Sequence, residues 1–321
     1  MKKAEILEVL KMPREAYLRE VAPKAREAHA SHRKVLTATA MLGFDNVCRN
    51  RCLYCGMRAG SRLPRYRMRP EEILTSVKAA VDGGFHRVFL ISGEDPNYGF
   101  EKLLDVVSSV HGLGVHLSMA CGEFEREEYK ALREAGADAY VLKFEMGQED
   151  IFNRLNPSTT FRRRLERIET LRELGFEVAS GGIIDYPGQT LSMLAEDILL
   201  TKALGISWAP VIPYLPVPGT PLAEEGGPGS VDLCQRTISL LRLMMPEVRI
   251  TAQQPGPDPQ KGLSDTVGNL EALAAGGDML FCDLLTEERA GQFSVVENRV
   301  VLGLEHIRDM AERSGMPLSM V

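Results

Sequence analysis

With 321 residues, 44% hydrophobic and 26% charged, the chain has the composition of a globular protein with a sizeable core. No stretch approaches the ~18 consecutive apolar residues of a membrane span, and a net charge of −6 argues against a dedicated nucleic-acid surface, which needs a concentrated basic patch. Six cysteines are too few for a disulfide scaffold, and MKKAEILEVLKMPREAYL lacks the apolar run of a signal peptide, so we expect a reducing, cytoplasmic location with neither membrane nor nucleic acid as partner.

Residues 1–34 read as an N-terminal helical extension of one or two amphipathic helices. VLTATAMLGF, at 35–44, is apolar throughout and reads as a first strand. Seven units follow, each an amphipathic helix ending at Gly, or once at Pro, and leading into an apolar run: AAVDGGFHRVFLISG, SSVHGLGVHLSMACG, LREAGADAYVLKFE, LRELGFEVASGGII, TKALGISWAPVIP, LMMPEVRITAQ and LAAGGDMLFCDLL. Glycine suits a helix end that must turn through a left-handed conformation, and strands apolar on both faces suit a parallel sheet covered by helices. The pattern predicts an α/β fold, a (β/α)8 TIM-type barrel over 35–286, closed or splayed on one side. Residues 287–321 read as a C-terminal tail that packs on the barrel and ends in a helix within VLGLEHIRDMAERSG. PGPDPQ (255–260) and EEGGPGS (224–230) mark loops within one domain. Active sites of such barrels lie at the C-terminal ends of the strands.

Directly after the first strand comes VCRNRCLYCGM, with Cys48, Cys52 and Cys55. Thiolates at this spacing can hold three corners of a four-iron cluster. A fully protein-bound cluster takes four thiolates, a structural zinc site four closed ligands, and no fourth Cys or His follows nearby. Something other than protein must fill the last corner. Arg49, Arg51 and Arg58 would border an anionic cluster or be solvated, and FRRRLERIETLRE (161–173) reads as a solvated helix face. Cys234 reads as core, whereas Cys121 and Cys282 sit near the ends of the third and eighth strands and are candidates for a cavity position. The histidines His29, His32, His86, His111, His116 and His306 do not pair at metal spacing. SGEDP at 92–96 follows an apolar strand and, on composition alone, reads as a polar turn with Asp95 capping the next helix.

CX3CX2C with Tyr54 before its last cysteine, then RYRM (65–68), SGEDPNYG (92–99), YPGQT (186–190) and PVPGTPLA (216–223), run in order over about 40–285. Together they resemble the radical S-adenosylmethionine (radical SAM) superfamily, in particular the subgroup holding the hydrogenase maturase HydE, methylornithine synthase (PylB) and biotin synthase, and HydE most of all. The resemblance implies one 4Fe-4S cluster on the three cysteines, with the amino and carboxylate groups of SAM on the fourth iron. It implies that Gly93 and Glu94 hold the SAM ammonium, that Glu145 and Arg164 contact its polar part, with Arg162 or Arg163 instead if the helix phase differs, and that Ile183 or Ile184 packs on adenine. Tyr54, Gly56 and Met57 would hold the other face and the exocyclic amine, with backbone near Val211 and Ile212 completing the pocket.

The implied reaction is reductive cleavage of SAM to a 5′-deoxyadenosyl radical that acts on a small molecule, with a reductant such as flavodoxin or ferredoxin as partner and oxygen excluded. The motif spellings lean toward hydrogenase-cofactor maturation. Ala139 and Phe144, standing where that maturase is expected to place an arginine and a histidine, would remove polar groups from the cavity and change the substrate. A methylornithine synthase-like lysine mutase and a maturase-like enzyme for the mononuclear iron hydrogenase cofactor are alternatives. From other classes, a non-SAM iron–sulfur electron carrier and a Schiff-base aldolase using Lys143 are the competing readings.

Overall fold

The computed structural model describes residues 1–32, 34–293, 295 and 301–321. Strands β1 (Leu36–Asp45), β2 (Arg87–Ser92), β3 (His116–Ala120), β4 (Ala139–Val141), β5 (Glu177–Ala179), β7 (Trp208–Ala209), β9 (Arg249–Ile250) and β10 (Met279–Asp283) pair in parallel in the order β10-β1-β2-β3-β4-β5-β7-β9. Just past β9, Thr251 bridges Met279, and the Ala252 amide donates to the Met279 carbonyl at 2.8 Å, so the sheet closes on itself. This is the (β/α)8 barrel that the glycine-ended repeats predict. Two short strands outside the ring, β6 (Ile183–Ile184) and β8 (Ile212–Pro213), pair with each other beyond the tips of β5 and β7.

Alternation along each strand sorts its side chains between two environments. On β1, Leu36, Ala38, Ala40, Leu42 and Phe44 enter the main apolar core, shared with buried helix residues such as Val77, Val107 and Ile238. Met41, Phe89, Ile91, Ala120, Val141, Ala179, Trp208, Met279 and Phe281 gather instead in a separate cluster in the lumen. There Phe89, Trp208 and Phe281 meet with ring centroids 5.3 to 5.8 Å apart. Below them, at the starts of the strands, Glu177 is 3.3 Å from His116, 3.5 Å from Arg249 and 3.8 Å from Arg87, a polar plug at the N-terminal mouth.

Three helices, Lys3–Lys11, Arg14–Glu20 and Ala22–His32, precede the barrel, with breaks at Pro13 and Val21 where one or two helices were expected. They dock on the helix Val231–Met244: Arg236 donates to the carbonyls of Val9 and Met12 at 2.7 Å and lies over the Tyr17 ring. The expected tail helix spans Leu304–Ser314 and buries Ile307, Met310 and Ala311. Beyond it, β11 (Leu318–Ser319) pairs with the start of β1. Among the described residues, no helix is long and apolar enough to cross a membrane.

Candidate active site at the C-terminal rim

The cysteine loop leaves the tip of β1 and crosses the rim. Asp45 anchors its base, accepting from the Val47 amide at 2.7 Å. Arg65 braces it from below, donating to the carbonyls of Asn46 (2.5 Å), Met57 (3.0 Å) and Arg58 (2.9 Å). This assigns the RYRM element a job that sequence reasoning missed. The loop's far side is stitched by Leu53 N–H to the Leu155 carbonyl (2.8 Å) and by Leu222 N–H, from the PVPGTPLA element, to the Leu53 carbonyl (3.0 Å).

Burial pushes all three thiols above their ordinary range, Cys52 furthest and Cys55 up to about 12, and for Cys52 and Cys55 the other cysteines push in the same direction. Amide donors oppose this: Asn50 and Glu94 on Cys48, the latter with N···Sγ 3.4 Å, and Met57 on Cys55. Three thiols that repel one another as thiolates, with amides already aimed at sulfur, suit a cationic metal centre whose binding expels their protons. Among the described residues no three His, Cys, Asp or Glu side chains converge as ligands of one metal ion. A cubane makes no such demand, since each corner iron takes its own thiolate.

Gly93 makes the rim possible. A Cβ there would lie 2.0 Å from the Val47 carbonyl oxygen and 2.8 Å from Cys48 Cβ. The close approach expected at this glycine is thus made by the cysteine loop itself. Next to it, Glu94 staples three segments: Arg49 donates to Oε1 at 2.5 and 2.7 Å, and Asn50 (3.0 Å) and the Glu123 amide (2.9 Å) donate to Oε2. Arg49 is therefore a partner of Glu94, and Arg58 donates to the Cys52 carbonyl at 3.1 Å. Neither is merely solvated. Asp95 caps no helix: the helix Phe100–His111 starts at Gly99 without a side-chain cap. Asp95 instead accepts from the Asn97 amide and from Arg67 and lies close enough to the buried Asp45 to act on its charge.

Glu145 lies beyond the end of β4, in a turn where its φ is +59°, its amide donating to the Gly181 carbonyl (3.1 Å) and its carbonyl accepting from Ile183 N–H (2.8 Å). Its Oε2 is ion-paired with Lys143 Nζ at 2.9 Å. Glu145 is close enough for its charge to act on Cys52, Cys55, Tyr54 and Arg164. Of the three adjacent arginines only Arg164 is buried; it donates to Glu123 at 2.6 Å, donates to the Lys143 carbonyl and stacks over Phe152. Arg163 is exposed and Arg162 fully on the outside. Glu123, at the β3 tip, also escaped sequence reasoning; only its place after ACG could have signalled it.

Ile183 joins Tyr54 in a small apolar cluster with Met146, Phe152 and Tyr186, whereas Ile184 turns into the main core. Ile212 pairs with Ile183 in register and so shares its face, while Val211 is in the main core. Tyr54 donates to Asn156 at 2.7 Å, and Gly56 and Met57 are buried beside Cys55. Of the three remaining cysteines, Cys234 is in the main core as expected, and the two cavity candidates face away from the lumen. Cys282 packs in the main core between strands and helices, and Cys121 lines a cavity of about 340 Å³ with Phe44, Ser92, Tyr98 and Phe124 behind the β2 and β3 tips. Strand alternation accounts for both, since their neighbours Phe281 and Ala120 hold the inward places. The expected loss of polar groups at Ala139 and Phe144 also fails geometrically: Ala139 begins β4 at the opposite end from the rim, and Phe144 packs in the main core. The polar side chain that β4 sends toward the rim is Lys143, already paired with Glu145.

Comparison with known proteins agrees with this geometry. The Radical SAM superfamily profile matches residues 44–200. The [FeFe] hydrogenase maturase subunit HydE of Thermotoga maritima is 39% identical over 214 residues, 66% of this chain and 61% of that protein. A biotin synthase of Desulforudis audaxviator is 31% identical over 267 residues, 80% of this chain and 78% of that one. The chain belongs to the radical SAM superfamily. Its cofactors are those of the family, one 4Fe-4S cluster and SAM. The crystal structure of methylornithine synthase (PylB) superposes with a TM-score of 0.87, covering 99% of this chain and 94% of that one at 22% identity, which establishes the shared fold. The chain spans about three fifths of the HydE relative's length.

Proposed function

We propose that this protein is a radical SAM enzyme that reductively cleaves SAM and acts on a small molecule in a HydE-like step of hydrogenase-cofactor maturation. The observation that carries the proposal is the gathering at one rim of three half-buried thiols, the Lys143-paired carboxylate of Glu145 and a buried guanidinium (Arg164), in a chain 39% identical to HydE over 214 residues. Cys48, Cys52 and Cys55 would hold the cluster and leave its fourth iron to SAM. When bound, cluster and SAM supply one-electron scission of a sulfonium carbon–sulfur bond.

The chain's own groups then have distinct tasks. The amides of Asn50, Glu94 and Met57 stabilise sulfur charge, and the Arg65 guanidinium beneath Cys48 and Cys55 acts in the same direction. Glu145 would offer its carboxylate, beside Lys143, to a cationic or hydroxyl group of the nucleotide, and Arg164 sits where a planar fork can meet a carboxylate. Ile183, Ile212 and Tyr54 give adenine an apolar bed. Glu94 reaches the ammonium only by exchanging one of its present donors. The aromatic floor of Phe89, Trp208 and Phe281 closes the lumen below and keeps water from the substrate space.

Anaerobically reconstituted protein with dithionite and SAM is expected to release 5′-deoxyadenosine, and Cys52→Ala none. Wild type that carries a cluster yet leaves SAM intact would favour the electron-carrier reading. The HydE-like assignment is tested by complementation of a HydE-deficient hydrogenase system; failure there with intact SAM cleavage would direct attention to lysine rearrangement.

A further inference from the structure

A buried carboxylate outside the rim, Asp197 on the helix Leu191–Ala203, accepts three hydrogen bonds from two different rim loops. The Gly147 amide donates to Oδ1 at 2.9 Å and Gln148 Nε2 at 3.2 Å, both from the turn that carries Glu145. Gln189 Nε2 donates to Oδ2 at 2.9 Å from the YPGQT turn. Gln189 in turn takes the Asp185 amide on Oε1 at 2.5 Å, fixing the residue after β6. Both loops contain a non-glycine residue in the left-handed region, Glu145 at φ +59° and Asp185 at φ +57°. Such residues are strained and persist only where their surroundings hold them. The pin depends on a missing side chain: a Cβ on Gly147 would lie 2.3 Å from Asp197 Oδ1.

We propose that Asp197 is a positioning residue for the SAM site, joining the Glu145 turn to the Ile183 strand so that the polar and apolar contacts to the nucleotide are held at a fixed separation. The inference rests on the radical SAM reading above. Asp197 touches neither nucleotide nor substrate. It acts through Gly147 and Gln189, and the Glu145 carbonyl to Ile183 amide bond at 2.8 Å is the joint it secures. An acceptor is needed at both oxygens because every neighbour that reaches it is a donor; an amide in its place would turn one N–H against another.

Two variants test this. Asp197→Asn keeps the volume and removes one acceptor; Gly147→Ala keeps the carboxylate and forces the loop off it. In cluster-free protein, hydrogen exchange of the Gly147 and Ile183 amides is expected to accelerate at least tenfold in both variants, while β1 and β2 amides keep wild-type rates. In anaerobically reconstituted protein with full iron content, the Kd for SAM by equilibrium dialysis should rise at least tenfold in both, and the double variant should be no worse than the poorer single. A purely structural carboxylate would lower Tm and leave both the local exchange pattern and the Kd ratio unchanged, and that result overturns the proposal. Should Asp197→Asn not fold, Gly147→Ala alone decides. Wild-type protein that holds its cluster but binds no SAM would instead sink the radical SAM reading, with the exchange arm still reporting on the pin.

Discussion

Gly93→Ala is the perturbation whose cost is most directly set by the coordinates. The added methyl would stand 2.0 Å from the Val47 carbonyl oxygen, 2.7 Å from its carbon and 2.8 Å from Cys48 Cβ. To regain an ordinary carbon–oxygen separation of about 3.3 Å, the Val47–Cys48 backbone must retreat by roughly 1 Å. Overpacking of this kind costs about 1–3 kcal/mol, and here the yielding atoms are backbone pinned by Asp45 and Arg65. The retreat also breaks the Glu94 amide to Cys48 sulfur contact, already at 3.4 Å. A metal ligand tolerates displacement of only about 0.2 Å, so cluster assembly should suffer far more than folding. The assay is iron and sulfide content with the visible absorbance of reconstituted protein, beside Tm of the cluster-free form. Expected are a Tm lower by several degrees, intact far-ultraviolet circular dichroism and less than half the wild-type iron. Gly227→Ala, with no atom within 4 Å of the new methyl, is the control. Wild-type iron content and an unshifted spectrum in Gly93→Ala would refute the placement of the loop against this turn.

Other outcomes follow from the same geometry. Arg65→Met removes a charged donor from three loop carbonyls and is expected to halve cluster retention on gel filtration with little change in the barrel's circular dichroism; equal retention would contradict its bracing role. Ile183→Ala and Ile184→Ala, both buried, should each cost stability, about 2–5 kcal/mol in the main core, but only Ile183→Ala should weaken SAM binding by folded protein, several-fold, with the Kd of folded Ile184→Ala unchanged. Asp45 gives a pH test. Burial, and next its partner Asp95, push its carboxyl up to about 7, while Asp95, itself raised by burial, is brought below its usual range by Arg67, the Asn97 amide and Asp45. A folded-state value above the unfolded one contributes stability that is complete below about pH 4 and lost as pH rises through about 7. Asp45→Asn mimics the protonated form, so cluster-free variant and wild type should have similar Tm at pH 4, and the variant should be the more stable by about 1 kcal/mol or more at pH 8. The same difference at both pH values would show that the Asp45 carboxyl is not raised.

What the sequence disclosed was whatever depends on neighbours along the chain. The glycines closing each helix, the apolar runs and the cysteine spacing are local signals, and from them the barrel, its strand order and the end that bears the site could be read. Arg164 was named on the family resemblance, with Arg162 and Arg163 left open because helix phase could not be fixed from the sequence; in the fold only Arg164 is buried. Glu145 was placed at the correct rim but on a strand; β4 stops at Val141 because Leu142 to Met146 turn to meet Gly181 and Ile183, and a left-handed glutamate has no sequence signature. The inward or outward sense of Cys121, Cys282 and Phe144 depends on the pleat, where a one-residue difference reverses the face. Glu123, Arg65 and Asp197 were not found because each has a partner far along the chain, Arg164, Asn46 and Gly147 respectively, 19 to 50 residues away and joined only when the barrel closes. The C-terminal strand β11 is two residues long and depends wholly on the edge that β1 offers.

The account stands or falls on an open corner in a cluster held by Cys48, Cys52 and Cys55. Electron paramagnetic resonance of anaerobically reconstituted, dithionite-reduced protein, with and without SAM, addresses that directly. The account predicts about four irons per chain, a reduced-cluster signal whose g-values move when SAM is added, and loss of that signal in each cysteine-to-alanine variant. Zinc at the three thiols, or a cluster signal indifferent to SAM, would contradict it.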